Sequence, residues 1–257
     1  MLHDIKAFAV DLDGVIWEGS RLLPGAREFL QWCAATGRPV AFVTNTVSLS
    51  RGQIIEKFRR LGVSEAEESQ VFSAGRAAAL YIAGRRAGAR VFVVGQHGTH
   101  LEVQQAGLHS VDTDADFVLV GMDREIHFDR LKLACRQALK GAEMVAANED
   151  RWFPEEDGPV PGAGCFKAFI EWCTGREAVL CGKPNPEIFL QAARYLGHPA
   201  PSIAMIGDIP EVDLVGARKA GMRCVLIGQH HDAGADAHYA SLAELLNGVS
   251  VSRNGPV

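Results

Sequence analysis

A largely apolar run from Ile5 to Val10 stops on Asp11-Leu12-Asp13-Gly14, and this stretch constrains the rest of the chain. The run predicts a buried strand. Side chains alternate along a strand, so Asp11 and Asp13 leave it on one side while Leu12 points back into the core. Gly14 lets the chain turn sharply. Two carboxylates crowded at the end of a buried strand repel each other and lose solvation. They persist when a cation sits between them or one carries a proton. Both conditions suit phosphoryl transfer, in which one carboxylate attacks phosphorus and its neighbour handles the proton. The pattern taken alone also fits a solvated Asp-rich turn, so its meaning depends on what else reaches that strand end.

The chain that follows alternates strands and helices. Pro24 suits the first turn of a helix that carries Phe29, Leu30 and Cys33 on one face and stops at Gly37. Pro39 to Val43 reads as a short strand running into Thr44-Asn45-Thr46. Ser50-Arg51-Gly52-Gln53 has the form of a capping box, opening a helix with Ile54, Ile55, Phe58 and Leu61 inward. Strand, helix, strand, helix at this spacing predicts a parallel sheet with right-handed crossovers. A second round follows, with helices near 74–86, 98–106 and 128–140 and strands near 91–95, 117–121 and 144–147. A turn-rich stretch from Asn148 through Gly164 then precedes a helix to about Thr174. From about residue 178 the first sheet is expected to resume, with a helix after Gly182-Lys183-Pro184-Asn185-Pro186, a strand Ser202–Gly207 ending on Asp208, and a last core strand Arg223–Gly228.

Composition narrows the function classes. Of 257 residues 47% are apolar and 22% charged, which predicts a soluble globular protein with ample core. The net charge of −5, with no basic run longer than two residues, argues against a nucleic-acid surface. No apolar run approaches the roughly 20 residues needed to cross a bilayer, and no leader pattern precedes the first strand, so a cytoplasmic location is expected. The six cysteines form no Cys-x-x-Cys pair and mostly sit in apolar patterns, as expected of reduced core thiols. His97/His100 and His230, His231 and His238 do not make a convincing zinc set.

Asp11/Asp13, Thr44/Asn45 and Asp208 each follow an apolar strand directly, and an open parallel sheet gathers such strand ends at one edge. Lys183 arrives from a loop just before a helix start, and Asp213 lies in the opening turn after Pro210. A hydroxyl, turn N–H groups, one ammonium and four carboxylates fit a magnesium-dependent phosphate site, since Mg²⁺ prefers oxygen ligands and keeps several waters. Lys183 and the N–H groups would neutralise a transferring phosphoryl group. Competing motifs fail: no Gly-x-Gly-x-x-Gly follows the first strand, Gly182-Lys183 lacks the P-loop spacing, and no Gly-x-Ser-x-Gly is present.

The order Asp11-Leu12-Asp13-Gly14, Thr44-Asn45, Lys183-Pro184, Gly207-Asp208 to Asp213 resembles the haloacid dehalogenase (HAD) superfamily of phosphohydrolases. Val120-Gly121-Met122-Asp123-Arg124, Ala146-Ala147-Asn148-Glu149-Asp150, Pro161-Gly162-Ala163-Gly164 and Gly182-Lys183-Pro184-Asn185-Pro186 are similar to its subfamily IIA. That group includes p-nitrophenyl phosphatase-like, phosphoglycolate, pyridoxal phosphate and nucleotide phosphatases. The resemblance implies an α/β fold: a doubly wound, Rossmann-like parallel-sheet core over 1–77 and 178–257, with an inserted α/β cap domain over 78–177. It implies a Mg²⁺-dependent hydrolase of small phosphomonoesters that works through an aspartyl-phosphate, with a small phosphorylated metabolite as partner; homodimerisation is left open. A phosphotransferase or mutase on the same aspartyl-phosphate, or a non-catalytic phosphate-binding protein, is the alternative.

By this resemblance Asp11 is the nucleophile and a metal ligand. Asp13 protonates the leaving oxygen, then activates water, and its carbonyl binds the metal. Thr44, the Asn45 backbone and Lys183 hold the phosphate; Asp208 is a metal ligand and Asp213 a supporting one. Members of the group often carry Asn where this chain has Thr46, Thr where it has Val212, and, in pyridoxal phosphatase-like members, His where it has Phe153. Thr46 and Phe153 are therefore expected on the substrate side, with Trp152 and Phe153 either offering a stacking face or packing in the cap core.

Overall fold

A computed structural model describes residues 4–155 and 158–251. The chain divides into two compact units. One takes the residues up to Thr44, Ile55–Phe72 and those from Lys183 on; the other takes Asn45–Ile54 and Ser73–Gly182.

The first unit is organised around Ala7–Val10, whose four residues are all buried. A strand covered on both faces needs no alternation, which is why Ala-Phe-Ala-Val reads as one apolar run. It lies inside a six-stranded sheet in the order Ala237–Tyr239, Arg223–Ile227, Ile203–Gly207, Ala7–Val10, Val40–Thr44, Val71–Ser73. Ala7–Val10 is parallel to both of its neighbours, with Val10 beside Ile206 on one side and Phe42 on the other. The chain thus leaves its first strand toward one edge and later returns to build the other. Loops diverge at such a reversal, and the crevice they leave is where open α/β sheets bind ligands. Helix Ala26–Ala35 buries Ala26, Phe29, Leu30 and Cys33, and the Phe29 ring meets Phe8 edge-on at 5.1 Å. Helix Arg51–Arg60, which passes from the second unit into the first between Ile54 and Ile55, opens with the expected reciprocal cap: Ser50 N–H donates to Gln53 Oε1 at 2.8 Å and Gln53 N–H to Ser50 Oγ at 3.2 Å. Helix Pro186–Leu196 is capped by Asn185, whose Oδ1 accepts from the Glu187 N–H at 2.9 Å.

The second unit has its own five-stranded parallel sheet in the order Val179–Leu180, Glu143–Ala146, Phe117–Val120, Arg90–Val94, His109–Ser110. Helices Phe128–Leu139 and Ala163–Thr174 contribute Ala134, Cys135, Ala138 and Ile170 to a core with Phe92, Val118, Val120 and Met144.

The α/β class and the parallel sheets are as expected, and two local expectations change. The stretch after Asn148 is not only turns: Trp152–Glu155 and Gly158–Pro161 pair as an antiparallel ribbon. Its three prolines hide it from propensity, but a two-stranded ribbon has outward-facing edges where a missing N–H costs no ladder bond. The first strand after residue 178, Val179–Leu180, extends the second sheet beside Glu143–Ala146, and the first sheet resumes only at Ile203. A two-residue edge strand carries too little pattern to declare its sheet. Of the cysteines, Cys33, Cys135, Cys181 and Cys224 are buried while Cys165 and Cys173 are exposed, and all are free thiols. No helix among the described residues is long and apolar enough to cross a membrane.

Candidate active site

Asp11 is the first residue beyond its strand and still belongs to the ladder, its N–H donating to the Ile206 carbonyl at 2.9 Å. Its side chain is buried, and Oδ1 is occupied: the Leu12 N–H donates to it at 2.7 Å and Lys183 Nζ stands 2.8 Å away. Oδ2 has no partner among the described residues. The chain then turns tightly, with Ile16 and Trp17 both donating backbone N–H groups to the Leu12 carbonyl. Gly14 sits in this turn at φ 83°, and a Cβ there would lie 2.1 Å from Asp208 Oδ2. Both the left-handed backbone and the close approach require glycine.

The next strand of the sheet supplies the rest. Ile203–Gly207 ends beside Asp208, and a five-residue π-helical turn, Pro210–Leu214, carries Asp213 back under it. Asp213 is fully buried: its Oδ2 accepts from the N–H groups of Asp208 at 3.1 Å and Ile209 at 3.0 Å, and its Oδ1 faces Lys183 Nζ at 2.6 Å. A Cβ on Gly207 would come 2.3 Å from that of Asp213, so this return also depends on a missing side chain.

Burial pushes the Asp11 carboxyl well above the usual range; Lys183 pulls the other way, and the charges of Asp213 and Asp208 add to the rise. Asp208 is pushed up to about 6, by burial first and by Asp213 next. Burial alone would lower Lys183, but Asp11 and Asp213 outweigh it and hold the ammonium charged. One lysine therefore answers three acids. Each of Asp11, Asp208 and Asp213 offers a carboxylate oxygen within 4.8 Å of the others, and Asp208 Oδ1 is buried without a hydrogen-bond partner. An orphaned buried oxygen in an over-acidic cluster is the donor set a hard divalent cation takes.

The structure thus brings Asp11, Lys183, Asp208 and Asp213 together. Thr44 ends the adjoining strand Val40–Thr44 and is buried. Asp13 departs from the expected crowding with Asp11: its side chain is 63% exposed and turned to Trp17 and Lys57, while the acids crowding Asp11 are Asp208 and Asp213. Alternation ends with the strand, and the turn at Leu12 sends the second acid elsewhere. Asn45 and Thr46 belong to the second unit, where the Asn45 carbonyl accepts from Asn148 Nδ2 at 2.7 Å and its Nδ2 donates to Asp150 at 3.2 Å. Phe153 lies there too, on the ribbon, with the Arg124 guanidinium 5.1 Å from its ring centre. Trp17 and Lys57 were not signalled by sequence; a tryptophan four residues past an acid in a Gly-rich turn carries no pattern of its own.

Known proteins agree with this architecture. A model described as haloacid dehalogenase-like hydrolase matches residues 8–109, and one described as HAD-hydrolase-like matches 180–245. The chain is 33% identical to the 5'-nucleotidase YutF of Bacillus subtilis over 222 residues, 86% of each protein. It is 31% identical to an acid sugar phosphatase of Staphylococcus aureus, covering 86% of this chain and 85% of that one. The solved p-nitrophenyl phosphatase from Archaeoglobus fulgidus superposes with a TM-score of 0.89 at 33% identity, over 95% of this chain and 99% of that one. On these matches the chain belongs to the haloacid dehalogenase-like hydrolases, in the p-nitrophenyl phosphatase-like subfamily IIA.

Proposed function

We propose that this phosphoric monoester hydrolase acts on small phosphorylated metabolites through an aspartyl-phosphate on Asp11, with Mg²⁺ as its metal. The observation that carries the reading is the pairing of Asp11 with Lys183: one carboxylate oxygen is tied down and the other is open. Asp11 Oδ2 attacks phosphorus, and the bond from phosphorus to the leaving oxygen breaks. Asp13 gives its proton to that oxygen. The Asp13 carboxylate then takes a proton from water, whose oxygen attacks the aspartyl-phosphate; the bond to Asp11 breaks, releasing phosphate and restoring both acids. Thr44, the Asn45 backbone, Thr46 and Lys183 bind the phosphoryl oxygens. Lys183 holds its charge where negative charge builds.

Asp11, Asp208 and the Asp13 carbonyl would hold the metal, with Asp213 supporting them from behind through the Asp208 N–H. When bound, the ion supplies charge neutralisation for the phosphate. Residues 78–177 serve as the cap domain, and Phe153 is its contribution to substrate selection. A cytoplasmic location and a phosphorylated small molecule, rather than nucleic acid, as partner fit the net charge of −5.

The test is phosphate release from a panel of phosphomonoesters, sugar phosphates, nucleotides, phosphoglycolate and p-nitrophenyl phosphate, with and without Mg²⁺. Metal-dependent release that Asp11→Asn abolishes without unfolding the protein is expected. Release that survives in that variant overturns the role of Asp11, and phosphate passed to an acceptor other than water favours a phosphotransferase.

A further inference from the structure

Although exposed, the Asp13 carboxylate is held. Trp17 Nε1–H donates to its Oδ1 at 2.8 Å, and Lys57 Nζ stands 3.9 Å from the same oxygen. The two partners are themselves joined, with Lys57 Nζ 4.1 Å from the Trp17 ring centre. Trp17 is a fixed platform: it is 2% exposed, its ring packs edge-on against Phe58 at 4.8 Å, and its backbone is tied to Leu12 and Gly14. Asp13 Oδ2 has no partner among the described residues.

An indole N–H only donates, and an ammonium 3.9 Å away is a cation beside the same oxygen, so an oxygen that faces both is poorly placed to carry a proton. Resting on the reading of Asp13 as the proton-transferring acid, we infer that Trp17 and Lys57 are positioning residues: by gripping Oδ1 they fix the carboxyl rotamer and make Oδ2 the oxygen that exchanges the proton. In the first half-reaction the O–H bond at Oδ2 breaks as the leaving oxygen takes the proton and the electron pair of its bond to phosphorus. The negative charge left on Asp13 spreads to Oδ1, where a fixed dipole and a cation already face it. In the second half-reaction Oδ2 recovers a proton from water.

A purely structural role for the same contacts, satisfying a buried indole N–H, predicts lost stability with no preference among substrates. Trp17→Phe keeps the ring and removes the N–H; Lys57→Met keeps the stem and removes the charge. Each is compared with Asp13→Asn on p-nitrophenyl phosphate, whose leaving oxygen needs little protonation, and on glycerol phosphate, whose alkoxide needs it. The expected result is a kcat on glycerol phosphate lower by about 10-fold or more, a loss below about 3-fold on p-nitrophenyl phosphate, and little change in KM. Asp13→Asn shows the same skew, more steeply. If Asp13→Asn is skewed and the two others slow both substrates equally, or change KM alone, the inference fails while the acid role of Asp13 stands. If Asp13→Asn is itself not skewed, both fall. Should Trp17→Phe fail to fold, Lys57→Met decides the matter alone.

Discussion

Lys183 and Asp213 meet at 2.6 Å with side chains only 2% and 0% exposed, and Asp11 Oδ1 stands 2.8 Å from the same ammonium. Breaking a buried pair costs more than the pair contributes, because the remaining charge is left without either water or partner. Lys183→Met leaves Asp11 and Asp213 in that position. It is expected to lower the unfolding free energy by about 3–5 kcal/mol, read from urea unfolding, as well as to abolish turnover. A loss below about 1 kcal/mol would mean that the acids simply take up protons.

The raised carboxyl of Asp208 makes stability depend on pH in a definite sense. Its native form keeps its proton up to about pH 6, whereas the unfolded chain releases it near 3.8. Between these values the native state binds more protons, so this group's contribution to stability is lost as pH rises from about 4 to about 6. The raised Asp11 carboxyl acts in the same direction. In EDTA, the Tm of the wild type relative to Asp208→Asn should therefore fall across that window, and Mg²⁺, which takes the ionised form, should recover the loss. A difference that grows with pH in EDTA would contradict the assignment.

Gly14→Ala combines a φ of 83° with a Cβ that would be 2.1 Å from Asp208 Oδ2. The left-handed backbone costs about 1–2 kcal/mol, and the displaced carboxylate should weaken metal binding. The Mg²⁺ concentration for half-maximal phosphatase activity should rise about 10-fold or more, a titration that separates this effect from a plain loss of folded protein.

Asn185 caps the helix that begins just after the lysine loop. Asn185→Ala is expected to cost about 1 kcal/mol of stability and to slow turnover beyond that of a matched cap loss elsewhere, since Lys183 depends on the same loop. Ser73→Ala, which removes the cap of helix Ala74–Arg85, is the comparison.

Much of this site could be read from residues because strands buried on both faces print as unbroken apolar runs. Val10 and Val43 lead directly into a polar group and Ile206 does so through Gly207, so the strand ends, and with them Asp11, Thr44 and Asp208, were legible. What escaped reading depends on where regular geometry stops. Alternation put Asp13 beside Asp11, but the turn closing on the Leu12 carbonyl lies outside the strand and sends that carboxylate to Trp17. Lys57 sits on the helix whose buried stripe was visible, yet its contact with Asp13 joins segments more than forty positions apart, and periodicity carries no such information. The Trp152–Pro161 ribbon was hidden by prolines that forbid a central strand but not an outer edge.

The order of strands also sets a timetable. Ala7–Val10 finds one neighbour soon, in Val40–Thr44, but the other, Ile203–Gly207, is translated only after the whole second unit. At about 5–20 residues per second the ribosome delivers Lys183 on the order of ten seconds or more after Asp11. Until then Asp11, the proposed nucleophile, stands at the margin of an unfinished sheet, without Lys183 beside it or Asp208 and Asp213 to complete the proposed cation site. A chain that stops short of Lys183 is therefore expected to hydrolyse no phosphate ester, and activity is expected only once the later strands have been made.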